Sequence, residues 1–140
     1  MNPFGPLYDL VKHQDPVTLP QHTSVQYACE CMRDRKVGSV LVTHNGALVG
    51  IFTGRDAVGR VLALDRSASE TTLEDVMTKN PVTLPPDRSA VDVIRLMQDR
   101  GFRHVPVIDG DKILGVVSKG EVRSPEYERI EGETIVWKLS

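Results

Sequence analysis

The sequence has little of several features that would restrict its fold or function. Only two of its 140 residues are cysteines, aromatic residues make up 5%, and no apolar run approaches the ~20 residues of a membrane span. Cys29 and Cys31 lie two apart in a segment that reads as helix, where they point roughly 200° away from each other. We therefore expect core-filling cysteines and no disulfide. The four histidines show no ligand spacing, so we expect no metal site.

The charges are nearly balanced. The chain has 17 Lys and Arg against 19 Asp and Glu, a formal net charge of −2, so no basic excess exists to neutralise a phosphate backbone. We expect no nucleic-acid binding. With 40% hydrophobic and 26% charged residues, the composition is that of a globular domain. The N-terminal MNPFGPLYDL lacks a signal-peptide pattern, so we expect no membrane association and a cytoplasmic location.

The chain contains one internal repeat. A shift of 65 residues aligns 16–57 with 81–122 without a gap, and 12 of the 42 aligned positions are identical. Both copies begin with PVTLP, and many of the other positions exchange one aliphatic residue for another. We therefore expect the two halves to share one fold.

Each half predicts the same elements. PVTLP reads as an extended segment because its prolines disfavour a helix. A helix follows whose apolar residues recur at i, i+3, i+4 and i+7. These residues are Val25, Ala28, Cys29 and Met32 in the first copy and Ala90, Val93, Ile94 and Met97 in the second. A hairpin of two strands then completes the common pattern.

The hairpins are predicted from turn dipeptides. Strands are expected at Ser39–Thr43 and Leu48–Phe52 across Asn45-Gly46, and at His104–Ile108 and Ile113–Val117 across Asp109-Gly110. A second helix should bury Ala57, Val58, Val61 and Leu62, and 65–72 reads as linker. One β-α-β-β-α half cannot cover its own sheet, so we expect an α/β (α+β) fold with two halves packed around a pseudo-twofold axis.

The strongest candidate site lies where a strand meets a helix, at Thr53-Gly54-Arg55-Asp56. A helix start suits a phosphate, the Thr53 hydroxyl adds a donor, and the Asp56 carboxylate can accept two hydrogen bonds from a ribose diol. Arg55 is a plausible phosphate contact. The alternative is structural, because Thr-x-x-Asp also resembles a capping box, in which hydroxyl and carboxylate satisfy the helix start.

The second copy departs from this pattern at Ser118 and Glu121. Serine can replace threonine, but glutamate carries one more methylene, which moves its carboxylate away from the geometry that suits a ribose. Ser-x-x-Glu is also the better capping box. We expect this second pocket to be weaker or empty.

Two basic residues occupy the start of the first hairpin strand of the second copy. Arg103 can hold a phosphate with its guanidinium fork, and His104 can donate one more hydrogen bond. The alternatives are a solvated charge for Arg103 and a polar residue at a strand edge for His104. The first copy has Gly38-Ser39 at the corresponding positions, so any basic residues for its motif would come from the second copy.

Taken together, VGSVLV, DVMTKNPVTL and FRHVPV resemble a tandem CBS-domain pair, or Bateman module. The resemblance covers about residues 8–124, with repeats at 8–64 and 73–124 and an extension at 125–140. It implies a regulatory module that binds adenine nucleotides or related ligands in clefts between the repeats. It also implies dimers in which two pairs form a flat disk.

The resemblance assigns roles to particular residues. It implies that Thr53 binds phosphate, that Asp56 binds ribose, and that Arg103 and His104 face the phosphates. The adenine edge would be read by Val82 and Thr83. The second pocket would use Val17, Thr18, Ser118 and Glu121. The alternative for the PVTLP segments is that they only cap the sheet.

The predicted function is a non-enzymatic sensor without a required cofactor. AMP, ADP or ATP is the expected ligand, with S-adenosylmethionine or NAD possible, and a homodimer that signals to an unknown protein partner is expected. No catalytic constellation is visible. The rival is a structural dimerisation or docking adaptor without a ligand. The segment Ile130–Leu139, with Trp137, predicts a strand that packs on its own module or on a dimer mate.

Overall fold

A computed structural model describes residues 5–122 of the chain. The predicted strand at Ile130–Leu139 lies outside the described residues. The helices are α1 (Pro6–Val11), α2 (Val25–Arg35), α3 (Gly54–Asp56), which continues as a π-helix (Ala57–Leu62), α4 (Leu73–Val76), α5 (Ala90–Arg100) and a 3₁₀ turn (Lys119–Glu121). The strands are β1 (Thr18–Pro20), β2 (Ser39–His44), β3 (Ala47–Thr53), β4 (Thr78–Lys79), β5 (His104–Asp109) and β6 (Lys112–Ser118).

The described residues form two compact units. One consists of residues 15–82, and the other combines residues 5–14 with residues 83–122. Helix α1 precedes the first sequence repeat but belongs to the unit that contains the second. Likewise, α4 and β4 lead into the second repeat but belong to the first unit. Each unit therefore contains a leading segment from the other half of the chain.

The first unit contains a four-stranded sheet in the order β1-β2-β3-β4. Strand β1 is parallel to β2, and the other neighbours are antiparallel. The predicted β2–β3 hairpin is confirmed. Asn45 and Gly46 have φ values of 52° and 82°, the left-handed conformations that a two-residue hairpin turn requires. The fourth strand was missed because it is only two residues long and comes from the segment preceding the second repeat.

Helix α2 packs on this sheet with the predicted face. Val25 and Ala28 are buried, and Cys29 and Met32 pack partly buried against the same core. The core is completed by Val40, Val42, Phe52, Val61, Leu73, Val76 and Met77. Burial raises the pKa of the Cys29 thiol, which favours its protonated form. Both cysteines are free.

The helix after β3 differs from the prediction. Val61 is buried and Ala57 packs on the core, but Val58 and Leu62 are 60% and 73% exposed. The predicted face assumed α-helical steps. Here the carbonyl of Val58 accepts from the amide of Ala63, five residues on, at 2.8 Å. Residues 57–62 are therefore wound as a π-helix, in which Val61 faces the core and Val58 and Leu62 face outward.

The second unit is built around the β5–β6 hairpin. Its turn is Gly110-Asp111, because Asp109 pairs with Lys112, so the predicted turn at Asp109-Gly110 was one residue early. The entry segment contributes only a bridge from Leu84 to β5 rather than a third strand. The helix α5 buries Val93 and Met97 as predicted. The other buried core residues are Leu7, Val11, Val105, Val107, Val117 and Val122.

Two glycines that correspond in the repeat allow a close approach of the exchanged segments. A Cβ on Gly50 would lie 2.3 Å from the Sδ of Met77. A Cβ on Gly115 would lie 2.7 Å from the Cβ of Val11 and 2.6 Å from the Oε1 of Gln14. Only glycine fits both positions. The identity of these two residues in the repeat therefore reflects how each leading segment packs.

Candidate functional site

The Thr53–Asp56 motif forms a complete capping box at the junction of β3 and α3. The Thr53 amide donates to Asp56 Oδ2 at 3.0 Å, and the Thr53 hydroxyl donates to the same oxygen at 3.2 Å. The Asp56 amide donates back to Thr53 Oγ1 at 3.4 Å. The capping box that the sequence offered as the structural alternative to a ligand site is therefore present. Since the Thr53 proton is directed at Asp56, this hydroxyl must rotate before it can donate to a phosphate.

The second oxygen of Asp56 contacts a different part of the first unit. Asp56 is 7% exposed, and its Oδ1 accepts from the Thr78 hydroxyl at 3.3 Å. The Arg60 Nε lies 3.5 Å from the same oxygen, while the Arg60 Nη1 donates to the carbonyl of Met77 at 3.1 Å. A carboxylate offers about four acceptor positions. A ribose diol would therefore have to replace Thr78 or Arg60 at Oδ1.

Arg55 takes no part in this network. Its side chain is exposed, and among the described residues it makes no hydrogen bond or ion pair. It is therefore unlike Arg60, which is already paired. Its role as a phosphate contact stays a prediction.

The corresponding residues of the second repeat also form a capping box. The Ser118 amide and hydroxyl donate to Glu121 Oε1 at 3.1 and 2.7 Å. The side-chain Nε2 of Gln14 lies 3.5 Å from Glu121 Oε2. The same nitrogen donates to the carbonyl of Val116 at 2.8 Å, and Gln14 Oε1 accepts from the backbone amide of Val116 at 2.8 Å. Gln14 thus pairs with β6 roughly as β4 pairs with β3. The weaker second pocket stays a prediction.

A third capping box shows which feature is special to Asp56. At the start of α5, the Ser89 amide donates to Asp92 Oδ2 at 3.1 Å, and the Asp92 amide donates to the Ser89 hydroxyl at 3.2 Å. The bond from the Ser89 amide holds the pKa of Asp92 below its usual value. Asp92 has the same capping geometry at its own helix as Asp56 has at α3, but it lacks the near-complete burial of Asp56 and, among the described residues, makes no hydrogen bond with a distant strand. It is therefore a matched structural control.

The two entry segments differ in how much of their backbone is used. The Val17 carbonyl accepts from the amide of Leu41 at 2.9 Å, and Thr18 lies in β1 opposite Leu41. The first PVTLP segment thus pairs with the edge of the sheet, as the structural alternative for these segments supposed. Val82 and Thr83 are half-buried and lie outside the regular strands. Their proposed contact with an adenine edge is untested.

Arg103 and His104 lie in the second unit, whereas the Thr53–Asp56 motif lies in the first. His104 opens β5 opposite Ser118, and the Arg103 carbonyl accepts from the amide of Lys119 at 2.8 Å. Both side chains are half-buried. Their predicted contact with phosphates stays a prediction.

Sequence reasoning missed Thr78, Arg60 and Gln14. The signal that could have found them is the glycine pair at 50 and 115, which marks where a segment crosses each sheet closely. Across residues 5–122, no three acidic, histidine or cysteine side chains cluster as metal ligands would. Over the same residues, no helix has the length and apolar character to cross a membrane.

Comparison with known proteins points to one family. The family model for the CBS domain matches residues 8–63 and 73–124. The CBS domain-containing protein CBSCBSPB5 of Arabidopsis thaliana is 36% identical over 116 residues, which are 82% of this chain and 21% of that protein. The chain thus spans about a fifth of the length of that relative.

Solved structures show the same similarity. The CBS-domain containing protein ATU1752 of Agrobacterium tumefaciens has a TM-score of 0.76 and 32% identity, covering 83% of this chain and 94% of that one. CBSX2, solved in complex with AMP, has a TM-score of 0.70 and 25% identity, covering 84% and 93%. Both repeats match the CBS-domain model, and the fold matches that of solved CBS-domain proteins. The chain therefore belongs to the CBS-domain family, as a tandem pair of CBS repeats.

Proposed function

We propose that this CBS pair is a regulatory module that binds an adenine nucleotide of the AMP, ADP or ATP class through Asp56. The observation that carries the proposal is a carboxylate only 7% exposed at the Thr-x-x-Asp position. The contacts at its Oδ1, 3.3 and 3.5 Å long, are longer than the 3.0 and 3.2 Å contacts at Oδ2. The partners of Oδ2 belong to the cap itself, whereas those of Oδ1 come from outside the motif and one of them, Arg60, is half exposed, so Oδ1 is the oxygen at which a ligand can replace a partner. CBSX2, a structural neighbour, was solved with AMP.

The chemistry assigns one task to each side chain. The Asp56 carboxylate accepts from the ribose hydroxyls, and a charged acceptor makes such bonds about twice as strong as neutral ones. Arg55 is exposed next to it and supplies a cation for the phosphates. In this proposal Val82 and Thr83 read the adenine edge, and Arg103 and His104 complete the phosphate contacts from the second repeat.

The binding test uses the unmodified chain. AMP, ADP, ATP, NAD and S-adenosylmethionine are titrated separately by isothermal calorimetry. We expect at least one adenine nucleotide to bind with a Kd between about 10 μM and 1 mM, which is −4 to −7 kcal/mol and suits a sensor of cellular nucleotide levels. If none of the five compounds gave a binding signal, the proposal would be rejected.

A second candidate function is a structural adaptor without a ligand. It is favoured by the finding that both motif acids, Asp56 and Glu121, turn back onto their own helix starts. In that case Asp56→Ala would lower the free energy of unfolding by about 0.5–2 kcal/mol, the value of a helix cap, and would change no binding property. The calorimetric panel separates the two functions.

We also propose that the module is a homodimer whose second copy covers the π-helical face. Val58, Leu62 and Leu64 are 60%, 73% and 64% exposed within seven residues of chain. Apolar side chains that leave water contribute about 25 cal/mol per Å². A group of exposed apolar side chains this close together in the chain is therefore a natural interface, and in this proposal it carries the signal to a protein partner.

The dimer prediction is tested by placing a charge in this group of side chains. We expect Leu62→Glu to raise the dimer dissociation constant at least about tenfold, since a buried unpaired carboxylate is costly. Sedimentation velocity over a concentration series measures the change. Val91→Glu is the control, because Val91 is similarly exposed (58%) but lies on α5. Equal effects of the two variants would contradict the assignment of the interface.

A further inference from the structure

We propose that the Asp56 carboxylate holds β4 in place through its contact with the Thr78 hydroxyl, which we call the latch. We further propose that a bound ligand competes with Thr78 for the same carboxylate oxygen. This inference rests on the proposed function. It names two positioning residues, Thr78 and Arg60, that the motif does not contain. The starting observation is that the Thr78 hydroxyl donates to Asp56 Oδ1 over 22 residues of chain.

The latch holds a strand that has few backbone hydrogen bonds of its own. Strand β4 is two residues long and pairs with β3 only at Thr78 and Lys79. Beyond it, the Asn80 amide donates to the carbonyl of Val49 at 3.1 Å. Short pairings of this kind open readily. A side-chain bond from the strand to a buried carboxylate is therefore a substantial part of its attachment.

Arg60 reinforces the same attachment from the other side. Its Nε lies 3.5 Å from Asp56 Oδ1, and its Nη1 donates to the carbonyl of Met77, the residue before β4. Asp56, Arg60 and the Met77–Thr78 peptide thus form one network within the first unit. Because Arg60 is half exposed, solvent screens its ion pair. Thr78 is the partner whose removal has the clearer effect.

The competition follows from the acceptor count. Oδ2 accepts two bonds from Thr53, and it keeps the bond from the Thr53 amide even when the hydroxyl turns to a phosphate. At most one donor of a diol therefore fits at Oδ2, and the other needs Oδ1. A ligand there displaces the Thr78 hydroxyl and weakens the hold on β4. By thermodynamic linkage, the ligand weakens the Thr78 contact to the same extent as that contact weakens ligand binding, so loss of the contact strengthens binding. Occupancy of Asp56 is thereby coupled to the segment that leads into Val82 and Thr83.

The test compares two substitutions at Thr78. Thr78→Val keeps the branched shape but loses the donor, while Thr78→Ser keeps the donor. We expect Thr78→Val to bind AMP about three- to tenfold tighter than wild type, the net effect of removing one competing hydrogen bond, with Thr78→Ser within about twofold. Calorimetry with AMP measures both.

A second readout is backbone hydrogen exchange, and its first comparison is made without ligand. Hydrogen exchange at the Asn80 amide should be faster in Thr78→Val than in wild type and Thr78→Ser. In wild type, saturating AMP should also accelerate it, whereas in Thr78→Val AMP should have no such effect.

The outcomes separate the latch from the binding function. If AMP and the other adenine compounds do not bind wild type, the proposed function fails, and Asn80 exchange in the ligand-free variants still decides whether the latch exists. If AMP binds wild type but Thr78→Val changes neither the affinity nor the Asn80 exchange, the latch is wrong and the binding function stands.

Discussion

Replacing Asp56 with alanine should abolish nucleotide binding, lowering the affinity for AMP by at least about 100-fold. Two hydrogen bonds from the ribose to a charged group are lost, each contributing about 1.5–3 kcal/mol. The same change removes a helix cap, so the free energy of unfolding should fall by about 0.5–2 kcal/mol. Calorimetric titration with AMP measures the first effect, and urea denaturation measures the second. The chain should remain folded under the conditions of the titration.

The control for Asp56→Ala is Asp92→Ala. Asp92 has the same capping-box geometry at the start of α5 but no ligand motif around it. We expect this variant to lose helix-cap stability while its affinity for AMP stays within about twofold of wild type. Glu121→Ala should also retain binding. Loss of binding in Glu121→Ala but not in Asp56→Ala would mean that the second repeat holds the working site.

Adding a single methyl group at Gly115 should destabilise the protein strongly. In Gly115→Ala the new Cβ would lie 2.7 Å from the Cβ of Val11, which is fully buried and cannot turn aside. Overpacking of this kind costs about 1–3 kcal/mol. Displacement of the leading segment would also break both Gln14 bonds to Val116, so we expect a total loss of about 2–6 kcal/mol. The midpoint of urea denaturation measures it.

Gly59→Ala makes the same chemical change where space is available. A Cβ at Gly59 meets nothing within 4 Å, and the residue lies inside the π-helix. Alanine should stabilise such a position by about 0.5–1 kcal/mol, because it restricts the unfolded chain. If Gly115→Ala were as stabilising as Gly59→Ala, α1 and Gln14 would not pack on β6 as described.

The elements that the sequence predicted well depend on local chemistry. The face of α2 follows from the spacing of Val25, Ala28, Cys29 and Met32 alone. The turn at Asn45-Gly46 follows from the tolerance of both residues for positive φ. The errors arose where local rules had competitors. Val58 and Leu62 sit at the spacing of a buried α-helical face, but the segment after Asp56 is wound as a π-helix and both side chains are exposed.

The candidate site shows the same division. Thr53 and Asp56 were identified by spacing, and their capping box was foreseen as the alternative, because both depend on residues three apart. The partners of Asp56 Oδ1 were not foreseen. Arg60 lies one turn further along a helix whose winding was misjudged, and Thr78 lies 22 residues away in a strand too short to leave a periodic pattern.

From its amino-acid order alone this chain specified a duplicated α/β pattern, the turn at Asn45-Gly46, the capping boxes at Thr53 and Ser118 and the family to which it belongs, because each of these is encoded within a few neighbouring residues or in the repeat itself. Which segment packs on which sheet was settled by long-range contacts. The exchange of α1 and β4 between units, the close approach at Gly50 and Gly115, and the attachment of Asp56 to Thr78 all join residues far apart in the chain. Such contacts depend on burial and shape, which only the folded chain brings together.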